Sequence, residues 1–266
     1  MNSAPLSVRI AAQALAGLVL AFLVLPILAV VPASFNKASF IYLPPKAWAW
    51  TWYDSFFADR EWMHTLGNSL QVAVLATAIC VVLGTLAALG LERLGRRSRT
   101  LLAGIFMAPM IVPVIITGVA LYRSAIELQM SGTTLAVALG HAVLALPLVV
   151  INVGISLRAV DPSWLRAATG LGAGPWTVFR TITLPNILPG LVGGAVFSFL
   201  TSFDEVVVAI FLAGNQGKTL PVKMWEAIRI DLTPESAVAA TMMILLAVAL
   251  FVLARLVTRR RKEATR

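Results

Sequence analysis

Residues 161–185 read DPSWLRAATGLGAGPWTVFRTITLP and form a polar-edged break between two long apolar segments. Asp161 is a favourable helix cap, and Pro162 follows at the first helical position, where a missing N–H costs nothing. A short helix is predicted through Trp164, Ala167 and Ala168, stopped by Gly170 and Gly172. Pro175 restarts a second short helix, expected to end near Pro185, where the next apolar segment begins. The product is an elbow of two short helices at an angle, bracketed by Pro175 and Pro185. Its small alanines expose backbone for close approach, and Arg158, Arg166 and Arg180 punctuate it. A knob of this kind fits a groove on another protein. A merely polar connecting loop would not need such specific spacing.

On either side of the elbow the chain is built for lipid. Of its 266 residues, 59% are hydrophobic and 12% charged, with a mean hydropathy of +0.88. A soluble domain carries about 25% charged residues. The fold class is therefore an all-α polytopic membrane protein. The apolar runs are continuous rather than alternating, which argues against a β-barrel. Six segments reach the ~20 residues a span requires: 11–33, 66–91, 101–123, 133–157, 186–213 and 235–257. The third holds Pro109 and Pro113, the fourth Pro147, and the fifth Pro189 and the pair Gly193–Gly194. Such breakers are tolerated in a bundle, either as kinks along a path or as packing irregularities. Residues 1–266 read as one membrane domain, with 158–185 as its cytoplasmic loop. Arg9 alone precedes the first segment and no small-residue cleavage site is obvious, so a retained helix is expected rather than a removed signal.

A net charge of +9 would suggest nucleic acid in a soluble protein. Here the bases lie at helix ends as orientation signals, and no nucleic-acid partner is expected. One side collects fourteen: Arg9, Arg93, Arg96, Arg97, Arg99, Arg158, Arg166, Arg180, Arg255, Arg259, Arg260, Arg261, Lys262 and Arg266. The other side has seven: Lys37, Lys46, Arg60, Arg123, Lys218, Lys223 and Arg229. The positive-inside rule places both termini and the elbow in the cytoplasm. On the outer side, 34–65 carries Trp48, Trp50, Trp52, Tyr53, Phe56, Phe57 and Trp62. These aromatics suit the membrane–water boundary, with a ligand-stacking platform as the sharper alternative. Residues 214–234 read as a re-entrant or surface loop with a short helix around Trp225–Glu226, and Asp231 is among the outer acids.

Catalytic signals are missing from the sequence. It has no Gly-rich phosphate loop, so the chain is not expected to hydrolyse ATP alone. His64 and His141 are single and far apart, and no metal site or cofactor is expected. His141 reads as a hydrogen-bonded residue within the bundle. Ser202 is expected to lack a nearby His, and the one cysteine, Cys80, sits in an apolar run.

At the elbow the chain resembles the membrane subunit of a type I ATP-binding-cassette importer. That family's loop runs Glu-Ala-Ala, three residues, Gly, nine residues, Ile-x-Leu-Pro. Ala167, Ala168, Gly172, Ile182, Leu184 and Pro185 fall in register, while Arg166 stands where the family has Glu. The resemblance covers most of the chain and implies a six-helix permease fold with these residues coupled to an ATPase. It also implies a bacterial inner-membrane location, two cytosolic ATP-binding subunits, a second permease subunit and an extracytoplasmic solute-binding protein. Without the resemblance, an ion-coupled secondary transporter is the rival reading, but it leaves the elbow unexplained.

The second signal is Asp204–Glu205, two adjacent acids expected near the middle of the fifth span. An Asp at the bilayer centre costs ~2.5–3.5 kcal/mol, so such acids face a water-filled path or a partner group. Either a cationic solute path or a hydrogen bond within the bundle satisfies that demand. The run Ser202-Phe203-Asp204-Glu205, followed by Gly214 and Leu220–Pro221, is similar to the matching segment of spermidine/putrescine importer permeases. That similarity implies a second, homologous permease chain and a substrate path along Ser202, Phe203, Asp204 and Glu205. It leaves other small solutes, such as amino-acid derivatives, as the alternative.

Overall fold

The computed structural model describes residues 6–38, 42–230 and 233–264. The helices run in order: α1 Leu6–Ser34, α2 Thr51–Ala58, α3 Arg60–Glu92, α4 Arg96–Ile111, α5 Val114–Glu127 and α6 Thr134–Arg158. They continue as α7 Pro162–Gly170, α8 Pro175–Val178, α9 Leu184–Asp204, α10 Val207–Leu212, α11 Leu220–Ile230 and α12 Pro234–Ala264. Among the described residues the only β pairing is an isolated bridge between Asn36 and Trp48. Asp231, and the side chains of Arg259, Arg260, Arg261, Lys262 and Arg266, lie outside what is described.

The chain divides into two compact units, Met1–Met63 with Glu226–Leu245 and His64–Trp225 with Leu246–Arg266. In the first, the aromatics of the 34–65 stretch pack on one another. Phe35 lies 4.9 Å from both Trp50 and Tyr53, and Phe56 is fully buried beside Trp62. The Tyr53 hydroxyl is 2.8 Å from that of Ser34, and Ser55 donates to Glu235 at 3.0 Å.

In the second unit α6 is the axis. Val149 and Val153 of α6 are fully buried with Ile187 of α9, and Val137 of α6 is buried with Val208 of α10 and Val72 of α3. Glycine notches permit this. A Cβ on Gly84 would come 2.8 Å from the Val149 side chain, and one on Gly194 would come 3.0 Å from Val149 Cα. Lipid tails are as apolar as leucine, so close packing at small residues is what holds such helices together.

Five helices are long and apolar enough to cross a membrane: Leu6–Ser34, Arg60–Glu92, Thr134–Arg158, Pro175–Asp204 and Pro234–Thr258. Three expectations need correcting. The segment 101–123 is not one straight span: α4 and α5 meet at 100°. Val112 is extended (φ −71°, ψ 132°) because it precedes Pro113, which disfavours the α conformation before it. Counting the bent pair as one crossing restores six. The fifth span does not run through 186–213. Its helix ends at Asp204, and α10 follows after a break. Nor does the second elbow helix end near Pro185. Residues Pro175–Asp204 form one 30-residue helix. A π-helical stretch, Phe179–Thr183, lies in its first half, with Leu184 N–H donating to Phe179 O. A proline in a helix removes one N–H donor and clashes with the carbonyl four residues back, here that of Thr181. The wider π turn relieves that clash and lets the helix continue.

Candidate functional site

Two places combine exposed polar chemistry with defined backbone geometry: the elbow and the Asp204–Glu205 break. At the elbow, Asp161 accepts a 2.8 Å hydrogen bond from the Ser163 N–H, and Pro162 opens α7. That bond holds the Asp161 carboxyl below the usual carboxylate range, with a lesser pull from Arg166. At the other end, Gly172 adopts φ +85°, a left-handed conformation that glycine takes without a Cβ penalty. Ala173 N–H then reaches back to Ala168 O at 3.0 Å, and Gly172 N–H to Thr169 O at 3.0 Å. This crossed pair is a Schellman cap, and it explains the spacing. The residue whose carbonyl receives the longer bond must stand four before the left-handed glycine, and Ala168 and Gly172 do.

The elbow leaves large apolar side chains exposed. Trp164, Leu171 and Trp176 are 53%, 89% and 70% exposed, and Arg166 and Ala167 are exposed beside them. A cavity of about 560 Å³ opens between the end of α3 (Leu86, Leu89, Arg93) and the elbow (Leu165, Trp176, Phe179). Ile182 and Leu184, by contrast, pack against the buried cluster around Val149 and Ile187. Those motif residues anchor the elbow, while Arg166, Ala167 and Gly172 face outward. Just before the elbow, Glu92 Oε1 accepts from Arg158 Nε at 3.0 Å and pairs with Arg99 Nη2 at 2.9 Å, tying the ends of α3, α4 and α6. Sequence reasoning passed over Glu92. Its signal was an acid directly beside the run of bases Arg93, Arg96, Arg97 and Arg99.

At the second place α9 stops at Asp204, and Glu205 is extended (φ −74°, ψ 118°). Asp204 is exposed and forms no hydrogen bond or ion pair among the described residues. Glu205 turns the other way. Its Oε1 accepts from Val208 N–H at 2.9 Å and caps α10. The two acids thus meet opposite ends of helix dipoles. Asp204 sits where α9 presents its negative end, an unfavourable place for a carboxylate, and Glu205 sits where α10 presents its positive end. Both lie at a break between helices, which corrects the expectation of acids near the middle of one span.

Ser202 is 3% exposed, and its hydroxyl lies 2.9 Å from His141 Nδ1. This corrects the expectation that Ser202 has no His beside it. The two are 61 residues apart in the chain and meet only because α6 packs on α9. Phe203 is 3% exposed and stacks on Phe199. Of the four residues assigned to a path, Asp204 is the one left exposed. Among the described residues no cluster of three or more His, Cys, Asp or Glu side chains could hold a metal ion.

An all-helical, multi-pass bundle with a capped elbow ahead of a long helix defines a class, the type I ABC importer permease fold. A bacterial ABC transporter for import of the acidic polysaccharide alginate shares it, with a TM-score of 0.74 over 95% of each chain at 13% identity. Residues 80–263 match the family described as binding-protein-dependent transport system inner membrane component, and the chain belongs to that family. It is 33% identical to the spermidine/putrescine transport system permease protein PotC of Haemophilus influenzae, over 91% of this chain and 94% of that one. It is also 33% identical to the putrescine transport system permease protein PotI of Escherichia coli, over 84% and 82% respectively. The protein is thus a multi-pass inner-membrane subunit of an ABC importer, a transport component rather than an enzyme, and it works with other subunits of such a system.

Proposed function

We propose that this chain carries a polyamine, putrescine or spermidine, across the inner membrane, with Asp204 as the acid that meets the cation. The observation that carries this reading is the unpaired Asp204 carboxylate at the C-terminal end of α9. It bears the penalty of the helix dipole, and a passing ammonium group relieves it. The relatives named for spermidine and putrescine support the solute class. An amino-acid derivative with an ammonium group is the alternative cargo, since the same acid would meet it.

The partners in this reading are two cytosolic ATP-binding subunits, a second and homologous permease chain, and an external binding protein that delivers the solute. Both termini and the elbow lie in the cytoplasm, in line with the excess of bases on that side. The permease acts as one domain over residues 1–266. Trp164, Leu171 and Trp176 enter a groove on the ATPase, with Arg166 at its rim. ATP-driven closure of the ATPase pair draws the elbows together. The continuous helix Pro175–Asp204 then carries that displacement ~45 Å, its length at 1.5 Å per residue. Its far end is Asp204, so the stroke is delivered at the acid, and the path switches from inward- to outward-facing.

The test is uptake of labelled putrescine by the complete importer in liposomes. Asp204→Asn is expected to cut uptake at least tenfold with the assembled complex intact. Glu205→Gln keeps an oxygen to accept from Val208 N–H and is expected to stay near wild type. Normal polyamine uptake by Asp204→Asn, or loss of the partner permease from that variant, would overturn the assignment.

A further inference from the structure

We infer that Gly140 and His141, consecutive residues of α6, form a clamp that holds the Asp204–Glu205 break from both sides. His141 is then a positioning residue for solute transfer. The inference rests on the reading of Asp204 as the solute-meeting acid.

On the α9 side, His141 is 1% exposed and its Nδ1 lies 2.9 Å from Ser202 Oγ. Its Nε2 is buried without a partner among the described residues, so the Ser202 hydroxyl is the one group that engages the ring's polar edge. On the α10 side, a Cβ at Gly140 would fall 2.5 Å from Leu212 Cδ1 and 2.8 Å from Val208 Cγ1. A side chain at position 140 would have to displace Leu212 and the branched Val208. Val208 is also the residue whose N–H is capped by Glu205. One turn of α6 therefore touches the last turn of α9 and the first turn of α10. The unwound residues Glu205 and Val206 are left strung between two fixed points.

What the clamp fixes is rotation. Residues two apart on a helix point ~200° apart. With Ser202 held against α6, Asp204 must point away from it, and the burial pattern agrees: Ser202 is buried and Asp204 exposed. Without the hydroxyl contact, nothing polar in the last turn of α9 sets its rotation about its own axis. Apolar packing, with Phe203 buried in the same turn, would then hold that turn alone, and the carboxylate would meet the solute less sharply. A second notch keeps α10 from following such a rotation. A Cβ on Gly118 of α5 would come 2.6 Å from Phe211 of α10.

The experiment uses the complete importer in liposomes, with putrescine uptake and ATP hydrolysis measured in the same vesicles. Ser202→Ala removes one oxygen, and His141→Leu removes the polar edge of the ring. Each is expected to lower the putrescine moved per ATP hydrolysed by roughly three- to tenfold, the size of one buried hydrogen bond. Assembly and ATP hydrolysis are expected to persist. The double variant should be no worse than the worse single, because both remove the same contact. His141→Asn keeps a polar group near the Nδ1 position and should recover most of the ratio. An unchanged ratio in Ser202→Ala and His141→Leu, additive losses in the double, or loss of the assembled complex in Ser202→Ala would each overturn the clamp. Asp204→Asn run alongside separates the two ideas. If it lowers uptake while the clamp variants do not, the clamp alone fails. If it leaves uptake intact, the reading of Asp204 fails and takes the clamp with it.

Discussion

The two polar interruptions of this chain, the elbow at 161–185 and the break at 204–206, close their loose backbone ends by different means. In the elbow every closing bond is local: Asp161 to Ser163, Gly172 to Thr169, Ala173 to Ala168. None spans more than five residues, so the caps of the elbow close without a hydrogen bond from the bundle, which contributes only the apolar anchoring of Ile182 and Leu184. At the break only the Glu205 cap is local. The rest is supplied by α6, through His141 and Gly140, from more than sixty residues away. In the proposed reading, the docking surface is the one built from local hydrogen bonds. The carboxylate proposed to meet the solute is the one aimed by tertiary packing.

The largest expected effect tests the locality of the elbow. Gly172→Arg places a Cβ at φ +85° and a cation where the Schellman cap closes. The left-handed conformation alone costs about 1–2 kcal/mol. The variant should lose copurification of the ATPase almost entirely, while its yield in the membrane stays close to normal because the elbow does not hold the bundle together. Normal ATPase copurification would break the comparison at its first term.

An intermediate effect tests the break. Glu205→Ala removes the cap of α10 and should lower thermal stability in detergent by about 1 kcal/mol, with Glu205→Gln close to wild type. If Ala and Gln behave alike, the carboxylate is not acting as a cap and the contrast with Asp204 dissolves.

The smallest effect concerns Asp161. Its folded carboxyl lies below the ordinary Asp range, chiefly through the Ser163 N–H. A depressed carboxyl contributes stability that is present above the unfolded value of about 3.9 and lost as pH falls through the folded one. Between pH 8 and 5 the cap should therefore be constant. ATPase affinity measured across that range should be flat for wild type, slightly and uniformly weaker for Asp161→Ala, and unchanged for Asp161→Asn, which also caps. A slope within that window would contradict the assignment.

The same division governs what could be read before any coordinates. The elbow was legible because each of its closing bonds spans at most five residues and uses residue types with narrow conformational roles. Asp161 caps α7, Pro162 starts it and Gly172 ends it, all as the sequence indicated. The continuity of the helix past Pro185 was not legible. Proline normally signals an end, and the π turn that rescues the helix has no residue signature of its own. At the second site, Asp204 and Glu205 were recognisable as costly acids, but their opposite roles were not. Those depend on α9 stopping between them, and no glycine or proline marks that stop. Ser202 and His141 looked unrelated because the chain separates them by 61 residues.

By itself, then, the amino-acid sequence determined the apolar spans and the capped elbow. Hydropathy and local hydrogen bonding depend only on neighbours in the chain. The tertiary structure decided the 100° bend at Val112–Pro113, the end of α9 at Asp204 and the rotation that exposes that carboxylate. Those follow from which small residues let helices approach, and an approach needs both partners in place before either side chain has a meaning.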